Sequence, residues 1–172
     1  MLKDYLLLLT KYNREANFKA VKILEGMTEE ERYADRKAYF KSLHGLLDHI
    51  ATSAIFYQRI LKTNNPDLPS LSHKYSDFKY ERGKIGFPDF AELKSAVQTL
   101  DESYIQTVNQ LTEEDLTKQF TYESPYGVMK LTPALTILRI VNHGTHHRGQ
   151  ISQILDAMNI ENDFSRIAES YE

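Results

Sequence analysis

A chain of 172 residues with 41% hydrophobic and 26% charged side chains has the length and balance of one globular domain, neither disordered nor embedded in a membrane. Its 21 basic and 24 acidic side chains leave a net charge of -3 and form no basic stripe, which disfavours nucleic-acid binding through phosphate neutralisation. Cysteine is absent, which excludes disulfides, zinc ribbons and cysteine nucleophiles. Any bound metal must therefore use His, Asp or Glu.

The start of the chain carries no predicted targeting or membrane segment. Its densest apolar run, residues 6–9, is too short to span a bilayer and lacks a small-residue cleavage pattern. We therefore expect a cytoplasmic protein without a membrane association.

Two long helices are predicted in the first third of the chain. Apolar residues recur at helical spacing over residues 2–25 and again over residues 35–62, where Phe40 belongs to the apolar stripe. Between them, Thr28 and Glu31 have the spacing of a capping box, which predicts a short helical turn.

The middle of the chain predicts a long connection and a third helix. Residues 63–88 are rich in proline, glycine and aromatic residues, so we expect a crossover connection attached to the surface by its aromatic rings. These rings are Tyr75, Phe78, Tyr80 and Phe87. A third helix is predicted over residues 89–111, followed by one further turn over residues 112–116.

The last third predicts a hairpin and a fourth helix. Residues 120–131 have β-type side chains on both sides of a turn that contains Pro125 and Gly127. The fourth helix is predicted over residues 132–158, with Thr132 as its N-cap, and the polar tail is assigned no firm structure. The expected fold is thus all-α, a four-helix bundle forming one domain over residues 1–172, with a long crossover and a small β-hairpin before the last helix.

Two histidines of the fourth helix are candidate metal ligands. His143 and His147 are four residues apart, so their side chains leave one helical face about 5–6 Å apart and can converge on one ion. His147 lies inside the apolar stripe and His143 on its flank, whereas His146 lies well outside it. By itself this pair favours metal binding no more strongly than a structural role.

A third candidate ligand comes from the second helix. His49 is enclosed by the apolar arc of that helix, whereas His44 lies outside it. Alone, His49 is more typical of a hydrogen-bonded histidine at the edge of a core. One inward histidine on this helix and two on the last nevertheless form the kind of set with which facing bundle helices bind metals. We interpret His44, His73 and His146 as solvated or supporting residues, and Arg148 as a structural ion-pair partner.

Three segments together resemble the DinB superfamily of metal-binding four-helix bundles, also called DinB/YfiT-like. They are residues 12–17 (YNREAN), 42–50 (SLHGLLDHI) and 141–151 (VNHGTHHRGQI). The third segment is the most characteristic, and the order and spacing of the segments extend the similarity over nearly the whole chain.

This resemblance implies a bundle with an up-up-down-down-like crossover and a divalent metal, nickel, zinc or iron, bound by His49, His143 and His147 with water completing the coordination. Some relatives are transferases or isomerases in which the metal activates a low-molecular-weight thiol. Typical members also carry an Asp and a Trp after the first histidine, where this chain has Ala54 and Tyr57. The three metal-ligand positions therefore match those relatives, but the chemistry of their pocket is not carried over to this chain.

The leading functional hypothesis is a metal-dependent enzyme, a transferase or hydrolase, and more specifically a thiol-dependent S-transferase acting on small electrophiles. Three neutral imidazoles leave coordination positions open, as catalytic metal sites do. No general base is evident, because Tyr57, Asn142 and Gln150 are more typical of packing or supporting groups. The alternative is a non-catalytic metal-binding stress-response protein that sequesters an ion or forms a homodimer. The partners expected are a small-molecule substrate and a low-molecular-weight thiol, but no nucleic acid.

Overall fold

The computed structural model describes residues 1–81, 83–124 and 127–167. The elements follow in the order α1 (Leu2–Glu25), α2 (Glu29–Tyr33), α3 (Leu43–Asn64), a 3-10 turn (Pro69–Leu71), α4 (Phe90–Gln110), α5 (Glu113–Thr117), β1 (Phe120–Ser124), β2 (Gly127–Leu131) and α6 (Pro133–Ala157). None of the described helices is both long enough and apolar enough to span a membrane.

The four long helices form a bundle in which consecutive helices are not always neighbours. Helix α1 packs mainly against α4 and α6, and α3 packs mainly against the same two helices, so α1 and α3 lie diagonally across the core. The core side chains are mostly aliphatic, since each helix buries one apolar stripe. The predicted all-α four-helix bundle with a small hairpin before the last helix is confirmed.

Several predicted helix starts are also confirmed, because they depend on local hydrogen bonds. The Thr28 hydroxyl accepts the Glu31 N–H at 3.2 Å while a Glu31 carboxylate oxygen accepts the Thr28 N–H at 2.8 Å, which completes the capping box. Thr132 caps α6 through a 3.1 Å bond from the Leu135 N–H, with Pro133 at the first helical position.

The predicted start of the second long helix at residue 35 is wrong, because α3 begins only at Leu43. Ser42 caps it by accepting the Gly45 N–H at 3.0 Å. Residues 34–42 form an irregular segment in which Lys37 and Lys41 have positive φ values of 59° and 63°, which ends any helix. This segment packs closely on α3, where a Cβ on Gly45 would collide with the Phe40 carbonyl. Phe40 therefore belongs to a loop that folds over the bundle.

The crossover between α3 and α4 is attached to the bundle by both aromatic and polar contacts. Phe87 is buried and stacks on Phe78 with ring centres 4.5 Å apart, and Tyr75 is buried as well, whereas Tyr80 is exposed and does not attach the segment. The Asp48 carboxylate on α3 accepts the Phe87 N–H at 2.7 Å. Burial raises the pKa of Asp48, opposed by its backbone hydrogen bonds.

The hairpin and the tail complete the described chain. Strands β1 and β2 pair antiparallel, with Phe120 opposite Leu131, while the predicted turn residues 125 and 126 lie outside the described residues. The tail is not wholly without structure, because Phe164 is buried and its carbonyl accepts the Tyr12 hydroxyl at 2.9 Å. Residues 168–172 of the predicted tail lie outside the described residues.

Candidate metal centre

The structure brings the three predicted histidines together where α3 packs against α6. The candidate ligand atoms of His49, His143 and His147 all lie within 4.8 Å of one another. Their ring centres are 4.9 Å apart for His49 and His143, 4.6 Å for His49 and His147, and 4.4 Å for His143 and His147. Among the described residues, these three histidines form the one group of His, Asp or Glu side chains whose ligand atoms lie close enough together to share an ion.

The other histidines do not join the converging ligand atoms, although the His146 ring meets the His147 ring edge-on with centres 4.8 Å apart. His146 is exposed on α6, as predicted. The solvated interpretation of His44 is wrong, because that side chain is fully buried, with Nε2 2.7 Å from the Phe87 carbonyl and its ring stacked on Tyr33. His73 is half-buried and hydrogen-bonded to Gln58, so it is not a solvated residue either.

Phe40 covers one side of the histidine cluster. Its ring stacks on His49 with centres 3.9 Å apart and meets His147 edge-on at 5.3 Å. An aromatic face in this position keeps water from the rings and limits the directions from which a ligand can approach. Sequence reasoning assigned Phe40 to a helix stripe and so missed this contact.

Burial keeps the three imidazoles in the neutral form that metals bind. It lowers the pKa of His49 to about 3 and that of His143 to about 4, and the neighbouring imidazoles of the cluster contribute in the same direction. Burial also lowers the pKa of His147, although a hydrogen bond to Gln150 opposes the shift. Each ring therefore offers a nitrogen lone pair at neutral pH.

Two ring nitrogens in the cluster have no hydrogen-bond partner. Nδ1 of His49 and Nε2 of His143 are buried and unpaired within the part of the chain that the structure describes. Leaving a buried polar atom unpaired costs about 1–3 kcal/mol. A cation would satisfy such lone pairs, so the residues present fit a divalent metal.

Gln150 orients His147. The Nδ1 atom of His147 is 2.7 Å from the Gln150 side-chain oxygen, one helical turn further along α6. An amide oxygen can only accept, so the ring donates its Nδ1 proton and keeps the lone pair on Nε2. The sequence analysis interpreted Gln150 as a packing or supporting group, and this hydrogen bond to a candidate ligand is a supporting contact.

Replacing Gln150 with leucine is expected to weaken metal binding about 10- to 100-fold, the usual cost of losing a group that orients a histidine ligand. Competition titration against a chromophoric chelator measures this affinity. Gln150→Glu keeps an acceptor and should restore most of the affinity, while Gln153→Leu, an exposed site on the same helix, should change little. Equal affinities for Gln150→Leu and wild type would contradict this role.

A buried polar network sets the rotation of α6 about its axis. The Arg148 guanidinium is 1% exposed and donates to the side-chain oxygens of Asn13 at 2.8 Å and Asn17 at 2.7 Å. The amide nitrogens of both asparagines donate in turn to Asp101 on α4, at 2.9 and 3.0 Å. Arg148 thus has the predicted structural role, but it is linked to the Asp101 carboxylate indirectly, through the side-chain amides of Asn13 and Asn17.

The network requires glycine at position 144. A Cβ there would lie 2.7 Å from both an Arg148 terminal nitrogen and the Asn13 side-chain oxygen. Burial raises the pKa of Asp101 to about 6, opposed by the Asn17 hydrogen bond and the Arg148 charge. Gly144 lies between the two candidate ligands of α6, and Arg148 directly follows the second of them. The contacts that hold the network therefore also direct His143 and His147 towards α3.

An open cleft borders the cluster at His143. Its volume is about 440 Å³ and it reaches His143. The lining residues are Tyr57, Arg139, Asn142, His143, Thr145 and His146. The cleft provides space for a small molecule beside a candidate ligand.

The comparisons with known proteins agree with this architecture. The profile of the DinB family matches residues 1–158. The chain belongs to the DinB family. It is 25% identical over 155 residues to Protein DinB of Bacillus subtilis (strain 168), which covers 90% of this chain and 86% of that protein.

Family membership confirms the resemblance seen in the three sequence segments, and the structure brings these segments together. Residues 12–17 supply Asn13 and Asn17 of the buried network, and residues 141–151 supply Arg148 together with two candidate ligands. Residues 42–50 supply His49 and Asp48. The segments therefore meet at one place in the bundle, around the histidine cluster and the contacts that support it.

Proposed function

We propose that this protein binds one divalent metal ion through His49, His143 and His147 and uses it to activate a small nucleophile. The observation that carries this proposal is the convergence of the three histidine nitrogens within 4.8 Å. Their neutral state and the unpaired nitrogens of His49 and His143 support it. Imidazole ligands suit zinc, nickel and iron alike, so the metal is proposed as one of these three.

The cleft favours a catalytic use of the ion over simple sequestration. Three protein ligands leave coordination positions open, as in catalytic rather than closed structural sites. The cleft beside His143 allows a small molecule to reach those positions. A bound divalent ion would lower the pKa of a thiol or water and so supply a nucleophile near neutral pH.

The specific reaction we propose is thiol-dependent S-transfer to a small electrophile. The thiol loses its proton to solvent, its sulfur forms a bond to the electrophilic carbon, and the leaving group departs with the bonding electron pair. Within the protein, His49, His143 and His147 hold the ion, Gln150 keeps the His147 proton on Nδ1, and Phe40 excludes water from one side.

Thiol consumption tests this function directly. The metal-loaded protein is incubated with glutathione or bacillithiol and a panel of small electrophiles, and thiol loss is followed by a disulfide-exchange dye. We expect metal-dependent loss that is absent in His147→Ala. The absence of any thiol loss, together with a cobalt-substituted spectrum that thiols leave unchanged, would favour the non-catalytic alternative, a metal-binding stress-response protein.

A further inference from the structure

Arg139 is the charged residue of the cleft beside the histidine cluster. The six side chains that line the cleft include this one arginine and no carboxylate. A lining with one arginine and no carboxylate suits a ligand that carries negative charge.

The Arg139 guanidinium has no carboxylate partner in the described part of the chain. No Asp or Glu oxygen of residues 1–81, 83–124 and 127–167 forms an ion pair with it. Instead, one terminal nitrogen lies 3.6 Å from the Met129 sulfur, a weak acceptor, and the guanidinium carbon lies 5.3 Å from the centre of the Tyr57 ring. These contacts hold the side chain in place while leaving most of its donors available.

Arg139 also lies close to the proposed metal. It precedes His143 by four residues on α6, so both side chains leave the same face of the helix about 5–6 Å apart. The Tyr57 ring contacts both, at 5.3 Å from the guanidinium carbon and 6.2 Å from the His143 ring centre. A small molecule in the cleft can thus reach Arg139 and the histidine cluster at once.

We propose that Arg139 binds a carboxylate on the small molecule that the site acts upon, so that the preferred ligands are small carboxylic acids with a metal-directed group a few bonds away. A guanidinium fork matches the two oxygens of a carboxylate, and Asn142 at the cleft wall offers an additional amide donor. In the metal-free protein, a phosphate dianion would bring more negative charge than the one guanidinium balances. The metal-directed part of this proposal rests on the proposed function, whereas the carboxylate contact does not.

The carboxylate contact is tested first on metal-free protein. Backbone amide signals of residues 139–146 are followed by NMR while 3-mercaptopropionate, neutral 2-mercaptoethanol or inorganic phosphate is added. We expect saturable shifts with 3-mercaptopropionate, none with 2-mercaptoethanol, and weaker ones with phosphate. Arg139→Met and Arg139→Gln should abolish the shifts, whereas Arg14→Met, whose charge pairs with Glu15 on α1, should keep them.

The second test uses cobalt-substituted protein, whose visible spectrum reports thiol binding at the metal. Wild type should bind 3-mercaptopropionate about tenfold more tightly than 2-mercaptoethanol, the effect of one charge-assisted contact. Arg139→Met and Arg139→Gln should remove this preference while cobalt content stays unchanged.

Three results would overturn the assignment of a carboxylate to Arg139: amide shifts that persist in both Arg139 variants, a thiol preference that survives them, or phosphate saturating the amide shifts at lower concentration than the carboxylate does. Failure of wild type to bind cobalt would instead refute the proposed metal function. The metal-free titration would still decide the role of Arg139 in that case, so the two failures are distinguishable.

Discussion

Replacing His147 with alanine is expected to reduce bound divalent metal from about one equivalent per chain to a trace, because two imidazoles alone hold such an ion far more weakly than three. Elemental analysis of protein purified without added metal, before and after dialysis against zinc, nickel or iron salts, measures this directly. His147 contacts both other candidate ligands and is the most buried of the three, so its loss opens the cluster.

The adjacent residue provides a matched control for this experiment. His146 is exposed on the same helix, next to His147 in sequence, and lies outside the group of converging nitrogens. His146→Ala should therefore retain the full metal content. Unchanged metal content in His147→Ala, or equal losses in the two variants, would refute the proposed site.

Replacing Arg148 with methionine is expected to lower the free energy of unfolding by about 3–5 kcal/mol, the usual effect of breaking a buried charged network by removing one partner. The substitution leaves the Asn13 and Asn17 side-chain oxygens without their donor, and Asp101 keeps only the weaker influence of the Arg14 charge. Urea denaturation of the metal-free protein, followed by circular dichroism, measures the change independently of any metal.

A second substitution distinguishes the loss of the network from the loss of packing. Asp101→Asn removes the carboxylate that Arg148 compensates, so combining it with Arg148→Met should cost less than the sum of the two single changes. Arg14→Met breaks only half-exposed ion pairs with Glu15 and Glu102 and should change the stability by no more than about 1 kcal/mol. Strict additivity of the two network changes would contradict the coupling.

The elements that could be predicted from sequence are those determined by neighbours along the chain. Helical periodicity identified the four long helices, and side-chain spacing identified the caps at Thr28 and Thr132. The same periodicity selected His49, His143 and His147 as inward-facing and excluded His146, since the direction of a side chain on a helix follows from its position in the stripe. That these three bind a metal stays a prediction.

Two features that sequence reasoning missed depend on structure that helical periodicity does not report. His44 lies off the apolar stripe of its helix, yet Tyr33 and the crossover carbonyl of Phe87 bury it. Phe40 fits a helical stripe, but the Ser42 cap and the positive φ of Lys41 place it in a loop over His49. The burial of His44 depends on segments from elsewhere in the chain, whereas the position of Phe40 depends on a backbone turn that apolar periodicity does not reveal.

What the sequence determined by itself is therefore the fold class and the identity of the converging histidines, both of which follow from local helix geometry. Only the tertiary structure decided what surrounds them: the Arg148 network that requires Gly144, the Gln150 contact that orients His147, and the cleft in which Arg139 lies without a carboxylate partner among the described residues. These depend on the distances between helices, which arise when the bundle packs and which helical periodicity does not encode.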